Sequence, residues 1–145
     1  MKLFLIASFS LLLAACASRD TRLEGRWKSN KALTVATMDC WRSRAGKPIS
    51  AKQRAALAPL FGRLIVTYDR RTATCELPPR DGRPAFRYTS HYRIAASVDD
   101  SLVFVSTSPL TKKPEINHVY FDGPNRYWVY LHRSGMKEFF DRITP

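Results

Sequence analysis

Ser134-Gly135-Met136-Lys137 has the S-x-x-K spacing of a serine nucleophile with a lysine beside it. That chemistry needs a helix in a much larger fold, completed by S-D-N and K-T-G segments, and neither segment occurs here. G-x-S-x-G, H-E-x-x-H and P-loop patterns are absent as well. The histidines are His91, His118 and His132. No C-x-x-C and no paired histidines at ligand spacing accompany them, so no metal centre is expected. The chain is expected not to be an enzyme and to need no cofactor.

Two other groups of residues suit binding. The first is aromatic: Phe86, Tyr88, Tyr92, Phe104, Tyr120, Tyr127, Trp128 and Tyr130. A buried tyrosine hydroxyl needs a partner, so a cavity lined by tyrosines suits a ligand with an apolar body and a polar head. The candidate lining is Tyr88, Tyr92, Phe104, His118, Tyr120 and Tyr127. Such a site requires a cavity of about 300 Å³ or more. The alternative is that the same rings simply fill a core. The second group is basic. Arg42, Arg44, Lys47, Lys52, Arg54 and Arg63 lie between Asp39 and Asp69 with no acid among them. They could rest on anionic headgroups, each contributing at most about 1 kcal/mol, or be a solvated face of a generally basic chain.

The elements that position these groups are mostly strands. The 145 residues are 45% hydrophobic, enough for one domain. Leu23 to Ser29 reads as a first strand. Asn30 suits the cap of a helix over 31–41. Ser50-Ala-Lys-Gln53 is a capping box opening a second helix through Phe61, stopped by Gly62. Beyond Gly62 the period changes to two. Strands are expected at 63–68, 72–77, 86–96, 102–107, 115–121 and 126–132, and a final helical turn over 136–143. Asp122-Gly-Pro-Asn125 joins the last hairpin. If Phe121 pairs with Arg126, the apolar face holding Ile116, His118, Tyr120, Tyr127, Val129 and Leu131 points inward. A one-residue slip would exchange the two faces. The fold expected is all-β with minor α. It is an antiparallel up-and-down barrel of about eight strands, with a helical pair after the first strand and a short C-terminal helix, since closure removes exposed sheet edges.

The N-terminus carries an address. Met1-Lys2 is followed by the apolar run LFLIASFSLLL over 3–13, too short for a membrane span of about 20 residues. Leu13-Ala14-Ala15-Cys16 then resembles a bacterial lipobox. The resemblance implies a signal peptide over 1–15, a lipid on Cys16 and a short tether over 16–22. Residues 23–145 then form the folded domain. Ala17, in place of Asp, implies by the same resemblance the outer membrane, facing the periplasm. The alternative is an ordinary cleaved signal with Cys16 as a free thiol. The whole chain carries +12; cleavage removes one charge, Lys2, and leaves +11. Nucleic acid is the usual partner of so basic a domain, but an envelope address argues against it. In an oxidising compartment Cys40 and Cys75 are expected to form a disulfide, the alternative being two free thiols.

Gly25-Arg26-Trp27-Lys28-Ser29, two helices, then a meander of strands resembles the calycin superfamily of lipocalins and fatty-acid-binding proteins. It is similar in particular to small bacterial lipocalin-like proteins that open with a GxWxS-type strand. Those often close with an aromatic strand, here Tyr127-Trp128-Val129-Tyr130, and a short helix, here Glu138 to Arg142. Arg126-Tyr127-Trp128 stands where many fatty-acid binders carry an Arg-x-Tyr carboxylate clamp, so a fatty acid is not implied. The resemblance implies a barrel that binds a small apolar or amphipathic molecule without catalysis. The alternative is an envelope protein using its basic surface on anionic lipid, glycan or a protein partner.

Overall fold

The computed structural model describes residues 20–42, 46–131 and 135–144. Eight antiparallel strands close into a barrel in sequence order: β1 (Gly25–Ser29), β2 (Ile65–Asp69), β3 (Thr72–Leu77), β4 (Phe86–Val98), β5 (Ser101–Thr107), β6 (Pro114–Phe121), β7 (Arg126–Tyr130) and β8 (Lys137–Ile143). β8 returns to β1, pairing Ser29 with Phe140 and Trp27 with Arg142, so the sheet has no free edge. The longest strand, β4, bends at a register shift between Ile94 and Ala96 that lets the sheet curl.

The helical pair lies between β1 and β2 as expected. Asn30 caps α1 (Lys31–Ala36) by accepting from the Leu33 amide at 3.0 Å. Ser50 and Gln53 form the reciprocal capping box of α2 (Ala51–Leu57). Gly62, at φ 82°, ends the segment. Thr34 and Met38 are fully buried, and Thr34 Oγ1 accepts from the Phe139 amide, which docks α1 against β8. The end of the barrel carrying these helices is called the helix end.

The opposite end is closed. Leu23 and Trp27 are fully buried there, and Trp27 Nε1 donates to the Leu23 carbonyl at 2.8 Å. The Arg142 guanidinium lies 4.1 Å from the Trp27 ring centroid. It donates to the carbonyls of Glu24 and Arg22 at 2.6 and 2.8 Å. Arg22 in turn binds Asp20 and reaches the Asp99 and Val98 carbonyls of the β4–β5 turn at 2.7 and 2.8 Å. These bonds tie the segment before β1 across the closed end.

Three expectations are corrected. The segment expected to end in a helix over 136–143 is strand β8, because Met136, Glu138 and Phe140 alternate as buried positions along it. The last hairpin pairs Phe121 with Tyr127, one residue away from the expected register. Asp122 donates to the Arg126 carbonyl, leaving a three-residue loop with Gly123 at φ 77°. Ile116, His118 and Tyr120 therefore face outward, and Asn117, Val119 and Phe121 inward. Finally, Cys40 and Cys75 are free thiols. Cys40 is exposed at the end of the turn after α1, while Cys75 faces the barrel interior from β3, hydrogen-bonded to Tyr88.

Candidate ligand-binding cavity

The closed half of the barrel is filled by rings. Trp27 and Tyr127 meet edge to face at 4.8 Å, Tyr68 and Tyr92 at 5.7 Å, and Tyr92 and Phe104 at 5.4 Å. Tyr127 stacks on Phe140 at 4.8 Å. Above this layer the interior holds a cavity of about 200 Å³. Tyr68 and Tyr127 contribute to its floor. Val66, Cys75, Phe104, Val119 and Val129 form its walls, and Thr107, Pro109 and Glu115 border it at the helix end. The amphipathic ligand expected from the sequence requires about 300 Å³ or more, so this cavity does not hold it and has room only for a smaller molecule. The ring layer is the reason: six aromatic side chains occupy the space a longer ligand would need.

Of the tyrosines and other residues expected to line a site, Tyr88, Phe104 and Tyr127 do so. Tyr92 points inward but belongs to the packed layer beside Tyr68 and Phe104. His118 and Tyr120 lie outside the barrel, a consequence of the hairpin register. Tyr120 is sandwiched there between His118 and Trp128, both at 4.2 Å. Lys137 Nζ lies 3.8 Å from the Trp128 ring centroid. This outer ladder satisfies its own ring faces. Cys16, Arg44 and His132, with the S-x-x-K serine Ser134, lie outside the described residues.

The cavity also has polar lining that the sequence did not single out. Glu138 points inward from β8, and its Oε1 accepts from Ser29 Oγ at 2.7 Å. Burial pushes the Glu138 carboxyl above the usual range, against the effect of the Ser29 bond. Asn117 Nδ2 donates to Ser106 Oγ at 3.0 Å and to the Glu115 carbonyl at 3.2 Å, leaving its amide oxygen as an acceptor. Burial also raises the Tyr68, Tyr88 and Tyr127 hydroxyls, which stay protonated; Tyr68 and Tyr127 share a hydrogen bond. Among the described residues, no group of three or more His, Cys, Asp or Glu is placed to hold a metal ion.

The basic residues sit at the helix end and are partly neutralised. Arg54 pairs with Asp39. Arg63 donates to the Pro78 carbonyl at 2.5 Å, and Arg42 to the Asp39 carbonyl at 2.7 Å. Lys47 and Lys52 are exposed. No helix among the described residues is long and apolar enough to cross a membrane. Comparison with protein-family models, with curated proteins and with solved structures gave no match.

Proposed function

We propose that the chain is an envelope lipoprotein of calycin-like fold that binds one small molecule inside its barrel, without a catalytic step. The observation that carries this reading is the closed barrel with an interior cavity that is partly polar. Glu138, Asn117, Ser106 and Tyr88 border this unfilled space, so a ligand there would meet polar groups as well as rings. At about 200 Å³, the cavity matches a ligand on the scale of one ring. An apolar protein cavity of about 150 Å³ already accepts benzene. Lipid tails and fatty acids are too large.

The lipobox at Cys16 gives the barrel an orientation. Cys16 lies four residue steps before Asp20, a reach of at most about 14 Å. Asp20 is bound at the closed end by Arg22 and Ser97. A lipid on Cys16 therefore sets the closed end against the bilayer and turns the helix end, with the cavity and the basic residues, toward the periplasm. This geometry disfavours the reading in which the helical pair lies on anionic headgroups.

Native mass spectrometry of the full chain, purified from envelope membranes in a nonionic detergent, tests both parts. The expected spectrum shows the acyl mass on a chain beginning at Cys16, together with a discrete small adduct released by organic extraction. A lipidated chain that never carries an adduct, even after incubation with single-ring compounds, would remove the ligand-binding reading. A chain retaining residues 1–15, or lacking acyl mass, would remove the lipoprotein reading.

A further inference from the structure

We propose that the cavity selects a small organic cation, holding its ammonium group against Glu138; this rests on the reading of the cavity as the binding site. The chain is strongly basic, yet the charged side chains lining the cavity are both acids, Glu138 and Glu115. No Lys, Arg or His belongs to that lining among the described residues. The remaining polar lining is made of hydroxyls, which donate or accept, and of the Asn117 amide. Asn117 presents its amide oxygen, and Glu138 accepts from Ser29 through Oε1. The carboxylate and the amide oxygen favour a ligand that brings donors. An ammonium group brings three and a charge opposite to that of Glu138.

The surrounding rings favour the same ligand. Tyr68, Tyr127, Phe104 and Phe140 line the cavity, and an aromatic ring face attracts a cation. An anionic head would meet two carboxylates and no base, at a site without the Arg-x-Tyr clamp. The volume limits the cation to about one ring with a short amine arm. The bound ammonium also supplies the counter-charge that burial denies Glu138, so occupancy and ionisation of this carboxyl support each other.

The test is a charge series at constant shape: benzylamine, benzyl alcohol and benzoate. Each is titrated by calorimetry into the full chain in nonionic detergent, with the detergent alone as reference. The expected result is that benzylamine binds about tenfold more tightly than benzyl alcohol, and benzoate not at all. Glu138→Gln is expected to bring the ratio of amine to alcohol affinity from about ten down to about one. Equal binding of amine and alcohol to the unaltered protein, or binding of benzoate, would overturn the cation proposal and leave the cavity as a neutral site. Failure of all three compounds to bind would overturn the cavity reading itself. The series on the unaltered protein decides the matter even if the Glu138 variant does not fold.

Discussion

Glu138 is the residue at which stability and binding pull apart. Its carboxyl is buried and accepts from Ser29, and burial raises its pKa. A raised folded-state value means that its contribution to stability is complete below the ordinary range near 4.5 and declines as pH rises through the folded value. Glu138→Gln keeps an acceptor for Ser29 without the charge. The variant should therefore be more stable than the parent chain at neutral pH, with the gap closing toward about pH 4. Urea unfolding at the two pH values checks this. A less stable variant at neutral pH would show that the charge helps the empty fold. Cys75 yields a second prediction at this scale. In a Cys16→Ser chain, the exposed Cys40 should react at once with a thiol reagent, and Cys75 only on unfolding. Failure of both thiols to react in denaturant without reductant would restore the disulfide. The two cysteines beyond Cys16 suggested a pair, but counting carries no information on direction, and Cys75 points into the barrel.

Among the elements, the strands built from alternating apolar residues were legible: β2 buries Val66 and Tyr68, and β5 buries Leu102 and Phe104. So were the two caps, whose side chains act locally. β8 and β6 were misread for a common reason. In β8 and just before it, the apolar residues Met136, Phe139, Phe140 and Ile143 fall at helical spacing, because the inward positions include Glu138 and Arg142. In β6 the inward Glu115 and Asn117 are polar while the outward Ile116 and Tyr120 are not, so the more apolar face is the wrong one. The polar residues that hide the strand pattern are those that line the cavity or seal the closed end. Binary patterning fails where a polar group has a task inside the barrel. The closed-end latch belongs to this scale too. Arg22 holds the Asp20 carboxyl down to about 2, against an ordinary value of 3.8. A lowered value gives stability that is present above about pH 4 and lost as pH falls through about 2. Asp20→Asn should cost about 2 kcal/mol at neutral pH and show a flatter loss of stability between those values, read from urea unfolding. Arg142→Lys keeps the charge but loses the planar fork bridging Arg22, Glu24 and the Trp27 face. It should cost about 2–3 kcal/mol by the same measurement. A neutral result for Asp20→Asn would show that the closed end holds without the Asp20–Arg22 pair, and one for Arg142→Lys that it holds without the Arg142 fork.

Over the whole molecule, barrel closure and tethering act together. The closed end is both where the chain enters the domain and where the rings are packed, so the cavity is left at the far end from the proposed lipid. A fluorophore at Asp100→Cys, in the β4–β5 turn, should be quenched by nitroxide lipids when the lipidated chain is anchored in vesicles. One at Lys113→Cys, at the helix end, should not be, both in a Cys40→Ser background. Equal quenching would mean that the barrel lies on its side. The charge of +12 says little about the cavity, whose charged lining has the opposite sign. Net charge is a sum over the surface, and the interior was hidden until the register of β6 and β8 was known. The most direct test of the account is therefore made inside the barrel, by methyl NMR of the valines and isoleucines during a benzyl alcohol titration. Val66, Val119 and Val129 line the cavity, whereas Val98 and Ile116 are exposed on the outside, at 59% and 78%. The account predicts saturable shifts at the three interior valines together, with Val98 and Ile116 unmoved. Saturable shifts confined to Ile116 and its neighbours on the outer face, or none at Val66, Val119 and Val129, would contradict it.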